Sequence, residues 1–347
     1  MAYTTINKST DHFNTKLYTG NGSTQNITGV GFQPDWTWTK KRNGTTGHRL
    51  VDAVRGATKA LFSNGTNAES TEANGLTAFA SDGYALGTDG NYNNSSDTYV
   101  SWNWKAANSS GSSNSDGSIT STVSANTTAG FSIVSYTGNA TAGATVGHGL
   151  GAKPDFYILK SRDQTDSWYT YNKFTGATKT LSLHSTAGET SSSFANSTEP
   201  TSSVFSLGSA SAFNGNGNTF IAYCFAEKQG YSKAGSYTAN GSADGTFVYT
   251  GFAPKFIIMK RKDASSYNWV IYDDKRNTYN PWTNLLLPND NNVEVGLPTN
   301  LSTDFLSNGF KLRSASGANP TTNQGTIFYM AFGQSLVGSN NVPCTAR

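Results

Sequence analysis

Apolar and polar positions alternate with a period of two along several short segments of the chain. Between residues 99 and 105, Val100, Trp102 and Trp104 alternate with smaller or polar residues, and residues 220–226 repeat this alternation. A period of two is typical of a β-strand that buries one face in a core. Asn-Gly and Asp-Gly pairs, which favour tight turns, lie between such segments. The pattern therefore predicts an all-β chain.

Helical periodicity is weak. In one segment Val51, Val54, Thr58 and Leu61 recur at spacings of three and four, which would allow one short helix. Gly56 and the β-branched residues around it oppose that helix, so the sequence leaves this alternative open.

Three landmarks recur in the same order in three stretches of the chain. The first is a Tyr-Thr-(Gly/Ala)-Asn motif, whose tyrosines Tyr18, Tyr136 and Tyr237 are 118 and 101 residues apart. The second is a proline followed by an apolar strand that ends in lysine, and the third is an alternating closing strand. This spacing is too long for a solenoid unit and fits a small domain. The landmarks lie at residues 18–21, 136–139 and 237–240, at 34–40, 154–160 and 254–260, and at 99–105, 220–226 and 327–333.

The repeat predicts three tandem antiparallel β-sandwich domains, jelly-roll-like and about 100 residues long each. Between the first two lies a polar stretch rich in Ser, Thr and Gly, a composition typical of a flexible tether, so we expect copy one to move independently. The predicted segments are an N-terminal lead (1–12), copy one (13–107), a linker (108–130), copy two (131–230), copy three (231–337) and a C-terminal tail (338–347).

The strand after the proline differs between the copies. In copy one, residues 36–39 alternate Trp and Thr, so one face is expected to be wet. In copies two and three, residues 156–159 and 256–259 are apolar on both faces and need cover on both. We expect copies two and three to pack against each other or against another chain, and predict a homo-oligomer, with a trimer as the first guess. A central strand beneath a long loop is the alternative.

Charge excludes some classes of protein. Charged residues make up 14% of the chain and the net charge is +3, so a nucleic-acid partner is not expected. The chain has no run of about 18 apolar residues, which predicts no membrane insertion. Lys40, Lys160 and Lys260 recur at strand ends, where they fit edge charges that block stray strand pairing or a site for phosphate or an acidic glycan.

The sequence contains no motif that selects an enzyme, a metal site or a cofactor site. Asp35 and Asp155 recur after the strand proline, but Lys255 takes their place in copy three, so a turn-stabilising role is favoured over a catalytic one. The cysteines Cys224 and Cys344 are far apart and are predicted to be free thiols. The chain is therefore predicted to have no catalytic residue, bound metal or cofactor.

Aromatic residues outside the repeat pattern are the candidate contact residues, since matched aromatics are expected in the core. Trp282 and Tyr279 lie in a polar loop, and Tyr92 lies among asparagines. Such side chains stack on sugars or anchor protein contacts. We expect the substitution Trp282→Ala to spare folding and to weaken a contact with a partner or host.

The motifs resemble those of repeat-containing virion structural, tail-fibre-like proteins of marine tailed bacteriophages, over nearly the whole chain. The resemblance implies a location on the exposed surface of a phage particle and transfers no catalytic residue. It is carried by residues 3–6, 17–23, 33–36, 55–59, 124–134, 221–226 and 343–347.

Together these observations predict a non-enzymatic virion structural protein, with a tail fibre or host-recognition appendage as the first interpretation. Its partners would be other virion proteins and a glycan or protein of the host surface. A capsid decoration or head-fibre protein is the first alternative. A glycan-binding lectin or a glycan-active enzyme is the second, from a different functional class.

Overall fold

The computed structural model describes residues 3–296, 302–313 and 325–337, so Cys344 and the predicted tail lie outside the described residues. The chain is all-β and its paired strands run antiparallel, as the alternation predicts. No helix in these ranges is long and apolar enough to cross a membrane. Residues 51–61 form the end of a strand, turns and a short strand instead of the helix that the sequence left open.

Copy one begins after a 3₁₀ turn, Ser9–Asp11. Its elements are β1 (Phe13–Thr19), β2 (Gln25–Thr28), β3 (Trp36–Lys41), β4 (Arg49–Asp52), β5 (Lys59–Ala60), β6 (Ser70–Thr71), β7 (Leu76–Ala80), β8 (Gly83–Leu86), α1 (Gly90–Asn93) and β9 (Thr98–Trp104). A four-stranded inner sheet has the order β1-β9-β3-β4, a three-stranded outer sheet has the order β2-β8-β7, and β5 pairs with β6.

Copy two repeats this order with two additional strands at its N-terminal side and without a counterpart of β7. Its elements are β10 (Ser112–Asn114), β11 (Ser121–Asn126), β12 (Phe131–Thr137), β13 (Ala144–Gly147), β14 (Phe156–Ser161), β15 (Tyr169–Asn172), β16 (Lys179–Ser182), β17 (Thr190–Ser191), β18 (Val204–Leu207), α2 (Ser211–Asn214) and β19 (Thr219–Phe225). One eight-stranded sheet has the order β10-β11-β12-β19-β14-β15-β16-β17, and β13 pairs with β18.

Copy three has the same arrangement as copy one. Its elements are β20 (Ser232–Thr238), β21 (Phe247–Tyr249), β22 (Ala253–Arg261), β23 (Val270–Asp273), β24 (Asn284–Leu285), β25 (Val295–Gly296), β26 (Thr303–Leu306), β27 (Gly309–Leu312) and β28 (Thr326–Gln334). The inner sheet has the order β20-β28-β22-β23, the outer sheet has the order β21-β27-β26, and β24 pairs with β25.

The inner sheets of the three copies meet in one shared core. The contacts run in a ring: Trp36 of copy one stacks on Tyr223 of copy two with centroids 4.3 Å apart, Phe156 of copy two meets Phe328 of copy three at 5.2 Å, and Phe256 of copy three meets Trp102 of copy one at 5.9 Å. The inner-face residues of this core are Trp36, Trp38, Val100, Trp102 and Trp104, then Phe131, Ile133, Phe156, Ile158, Ile221, Tyr223 and Phe225, and then Phe256, Ile258, Ile271, Phe328, Met330 and Phe332.

The other face of each inner sheet packs in a separate cluster within its own copy. Both faces of β14 and β22 are therefore covered by residues of the same chain. This cover explains why both faces carry apolar side chains. The expectation of a wet face in copy one is wrong, since Thr37 and Thr39 are also buried. The apolar strand faces therefore give no reason to expect a homotrimer, because each copy covers the inner face of the next copy in the same chain.

The flexible tether is a further correction. Within the predicted linker, Ser112–Asn114 and Ser121–Asn126 form β10 and β11, which continue the sheet of copy two. Copy one is held against the other two copies through the shared core, so it does not hang on a mobile segment. A polar Ser/Thr composition still forms strands when a neighbouring sheet edge offers backbone partners.

Three ion pairs close the ring at the boundaries between copies. Arg42 of copy one pairs with Glu294 of copy three at 2.7 Å, and Arg162 of copy two pairs with Glu69 of copy one at 3.0 Å. Lys262 of copy three pairs with Glu189 of copy two at 3.1 Å. In all three, the glutamate backbone N–H also donates to the backbone carbonyl of its basic partner, at 2.7–2.8 Å. These three basic residues, each of which lies two positions after a recurring lysine, therefore join the copies.

The recurring lysines are buried, which corrects their interpretation as edge charges or as an anion site. Lys40 donates to the carbonyls of Lys41 and Gly44 at 2.7 and 3.0 Å, and Lys160 makes the equivalent pair of bonds. Lys260 donates across the boundary to the Thr186 carbonyl at 2.9 Å. Burial lowers the pKa of Lys40 and Lys160 to about 8 and that of Lys260 to about 7.

Candidate functional site

The recurring acids after the strand proline have structural contacts. Asp35 is buried and its Oδ2 accepts the backbone N–H groups of Ala106 and Asn108 at 2.7 and 3.0 Å. Burial raises its pKa to about 6, and these N–H donors oppose the shift. Asp155 likewise accepts the N–H of Glu227 at 2.8 Å. Both acids hold the segment that leaves the closing strand, in line with the turn-stabilising role predicted for them.

Metal-binding and thiol chemistry have little basis in the described ranges. No group of three or more His, Cys, Asp or Glu side chains there could hold a metal ion. Cys224 is a free thiol, fully buried on the outer face of β19, and burial raises its pKa strongly. Such a thiol packs as a small apolar side chain.

Tyr92 is a core residue. Its ring is 1% exposed within the cluster between the sheets of copy one, and its hydroxyl donates to Glu72 at 2.6 Å. Its backbone carbonyl accepts the hydroxyl of Tyr18 at 2.9 Å, and in copy two Tyr136 makes the same bond to the carbonyl of Phe213. Tyr92 thus occupies the repeat position of Phe213. The sequence alone does not reveal this match, because the short polar segments around Tyr92 and Phe213 share few identical residues.

Trp282 and Tyr279 meet at one cleft in copy three. The cleft has a volume of about 480 Å³. Tyr279 is 85% exposed at its edge, whereas Trp282 is only 5% exposed and stacks on Phe305 with ring centroids 3.5 Å apart. The structure therefore places two of the three candidate residues together and separates Tyr92 from them. The residues that line this copy-three cleft are Ala253, Pro254, Lys255, Asp274, Thr278, Tyr279, Asn280, Trp282, Phe305, Leu306 and Ser307.

An insertion creates the cleft. In the inner sheets, Asp52, Asn172 and Asp273 hold equivalent registers, each opposite the second residue after the strand proline. Ala57 lies five residues after Asp52, and Ala177 lies five residues after Asn172. Trp282 lies nine residues after Asp273. Copy three thus carries four additional residues and a tryptophan where copies one and two carry alanine. The longer loop brings residues 278–280 over the end of the outer sheet.

Asparagine side chains hold the inserted loop in place. The Asn280 amide donates to the Phe305 carbonyl at 2.7 Å, and its Oδ1 accepts the Phe305 N–H at 2.8 Å. Asn277 Oδ1 accepts the N–H groups of Thr283 and Asn284 at 2.6 and 2.7 Å. Together with the antiparallel backbone pairing of Trp282 and Thr303, these bonds hold the loop against β26.

Charge within the cleft is balanced. Lys255 Nζ lies 3.2 Å from Asp274 Oδ2, and the Asp274 N–H donates to the Lys255 carbonyl at 2.9 Å. Asp274 is the only carboxylate among the lining residues. The usual glycoside hydrolysis uses two carboxyl groups that flank the bond, and this lining contributes one.

The fold and the cleft together define an all-β repeat protein that carries one aromatic cleft on its third copy. The chain belongs to the family described as a domain of unknown function, DUF7483, which matches residues 8–335. No curated protein matches the chain, and no solved structure does.

Proposed function

We propose that this protein is a non-enzymatic structural protein on the exposed surface of a phage particle, built of three jelly-roll-like β-sandwich units, and that it acts as a tail-fibre or host-recognition appendage. The observation that carries the proposal is the structural difference between the positions that the copies share and the loop that only copy three has. Matched positions build the shared core, and the inserted loop of copy three, which has no counterpart in copies one and two, builds an outward-facing aromatic cleft.

The exposed apolar residues support the same difference between the copies. Of the large apolar side chains that are exposed in the described ranges, one belongs to copy two and the others to copy three. An exposed aromatic on an otherwise polar surface is a common anchor of an interface. The exposed set is Phe174, Phe247, Tyr249, Tyr279, Val293 and Val295.

The experiment is adsorption competition with the phage that encodes this chain. Host cells preincubated with the purified protein should adsorb that phage more slowly, and the Tyr279→Ala variant should compete less well than the natural protein. The variant Phe174→Ala is the matched control, because it removes an exposed ring from copy two. A protein that is absent from purified particles, or one that leaves adsorption unchanged at saturating concentration, would overturn the proposal.

A capsid decoration or head-fibre role is the second candidate, and the ring of equivalent contacts favours it. A chain with three equivalent sides can seat on a three-fold position of an icosahedral shell, because each side presents a similar surface to the shell. Labelling particles with an antibody against the chain separates the two candidates. Label at the tail supports host recognition, and label distributed over the head supports decoration.

A further inference from the structure

We propose that the copy-three cleft is a carbohydrate-binding site for a neutral hexopyranose unit of a surface glycan. This inference deepens the proposed function and rests on it for its biological role, but the binding itself is testable on the isolated protein. The lining of the cleft combines aromatic rings with short polar side chains in a space of about 480 Å³. That volume lies in the range of small-ligand sites.

The aromatic rings fit the apolar face of a sugar. A pyranose presents C–H groups on one face and hydroxyl groups at its rim, so it needs a ring platform beside polar partners. Tyr279 provides the platform at the edge, and Trp282 and Phe305 form an apolar floor. Thr278 and Ser307 line the same space, and a hydroxyl group can both donate and accept hydrogen bonds.

The charges favour a neutral ligand over an acidic or basic one. Lys255 and Asp274 are the charged residues of the lining, and they pair with each other at 3.2 Å. An anionic sugar would have to compete with Asp274 for the lysine, and a cation would have to compete with the lysine for Asp274. Paired charges remain good hydrogen-bond donors and acceptors for hydroxyl groups.

The fixed loop favours a small, rigid ligand. The Asn280 side chain uses both its oxygen and its nitrogen on the Phe305 backbone, and Asn277 holds the start of β24. The cleft is therefore formed before the ligand arrives, and binding does not have to pay for ordering the loop.

Saturation-transfer NMR on the full chain tests the proposal with a defined panel of free sugars: D-glucose, D-galactose, D-mannose, N-acetyl-D-glucosamine and D-glucuronate. We expect transfer to at least one neutral member and weaker transfer to glucuronate than to glucose. Tyr279→Ala should weaken the neutral sugar roughly 2- to 10-fold, as expected for the loss of one stacking ring. Tyr279→Phe should retain the affinity within about twofold, because the ring remains.

Phe174→Ala should leave the affinity unchanged. No transfer to any neutral sugar, stronger binding of glucuronate, or equal losses in Tyr279→Ala and Phe174→Ala would each overturn the carbohydrate assignment. These failures are distinct from failure of the proposed function. A protein that binds sugar but is absent from particles is a lectin, and one that is present on particles but fails the panel recognises a different ligand.

Discussion

Replacing Arg55 with methionine should cost about 3–5 kcal/mol of unfolding free energy. The Arg55 side chain is fully buried where copy one meets copy two. Its Nε lies 2.5 Å from Asp52, one Nη lies 3.1 Å from Glu69, and the other donates to the Leu50 carbonyl and to the Tyr223 hydroxyl at 2.7 and 3.1 Å. Burial alone would lower its pKa, but Asp52, Tyr223 and Glu69 raise it above the ordinary value.

The loss of stability arises because Asp52 stays buried after its ionic partner is removed. Without the guanidinium, Asp52 keeps only the Tyr223 hydroxyl, at 2.8 Å, as a side-chain donor, and its charge stays buried and unbalanced. A loss of 3–5 kcal/mol is a large part of the stability of an ordinary domain. Urea unfolding followed by tryptophan fluorescence measures it, because the tryptophans of copy one line the shared core. The variant Lys8→Met, which removes an exposed ion pair, should change stability by less than about 0.5 kcal/mol.

Copy two carries uncharged residues at the positions of this ion pair. At the positions of Asp52 and Arg55 it carries Asn172 and Thr175, and Met330 stands in copy three where Tyr223 stands in copy two. The triple variant Asp52→Asn, Arg55→Thr, Tyr223→Met should recover most of the loss, to within about 2 kcal/mol of the natural chain, since a buried ion pair can be replaced by less polar groups at little net cost. A loss of less than about 1 kcal/mol in Arg55→Met, or a triple variant no more stable than the single one, would contradict this role of the buried charges.

Three further outcomes follow from burial. Burial lowers the pKa of the three recurring lysines to about 7 or 8. Between that pH and about pH 10, the unfolded chain therefore binds more protons than the folded chain. The unfolding free energy should then rise between pH 7 and pH 9, by up to about 1.4 kcal/mol per pH unit for each lysine. Thermal unfolding scans measure this rise; Lys260→Met should make it shallower, and a fall in melting temperature over this range would contradict it. In a Cys344→Ser background, Cys224 should react with a thiol reagent only after denaturant is added, since it is fully buried, and fast labelling of the native protein would count against that placement. Trypsin should leave the bond after Lys105 intact under native conditions, because the following segment pairs with copy two; early cleavage into two fragments would instead support the flexible tether.

Alternation and turn chemistry were sufficient to predict an all-β, antiparallel chain. They could not show that the inner faces converge, because a strand that is apolar on both faces needs cover without specifying its source. The ring contacts also depend on pairs that are distant in sequence, such as Arg42 with Glu294. No local pattern distinguishes such a basic residue from an edge charge.

The candidate site was predicted in part. Choosing aromatics that lack a repeat partner led to Trp282 and Tyr279, which share the cleft. The burial of the Trp282 ring against Phe305 argues against the expectation that Trp282→Ala spares folding, and we expect this substitution to cost roughly 3–5 kcal/mol of unfolding free energy. The clearest signal was the additional length between Asp273 and Trp282, which aligning the copies by length would have detected.

Among the residues that the structure describes, the inserted loop occurs only in copy three, so a ligand of the copy-three cleft would meet one such loop on each chain. If this cleft binds a ligand as proposed, each chain makes a monovalent contact, which is released faster than a multivalent one. Firm attachment would then depend on how many chains stand side by side, since linked sites raise avidity by two to four orders of magnitude without any new contact.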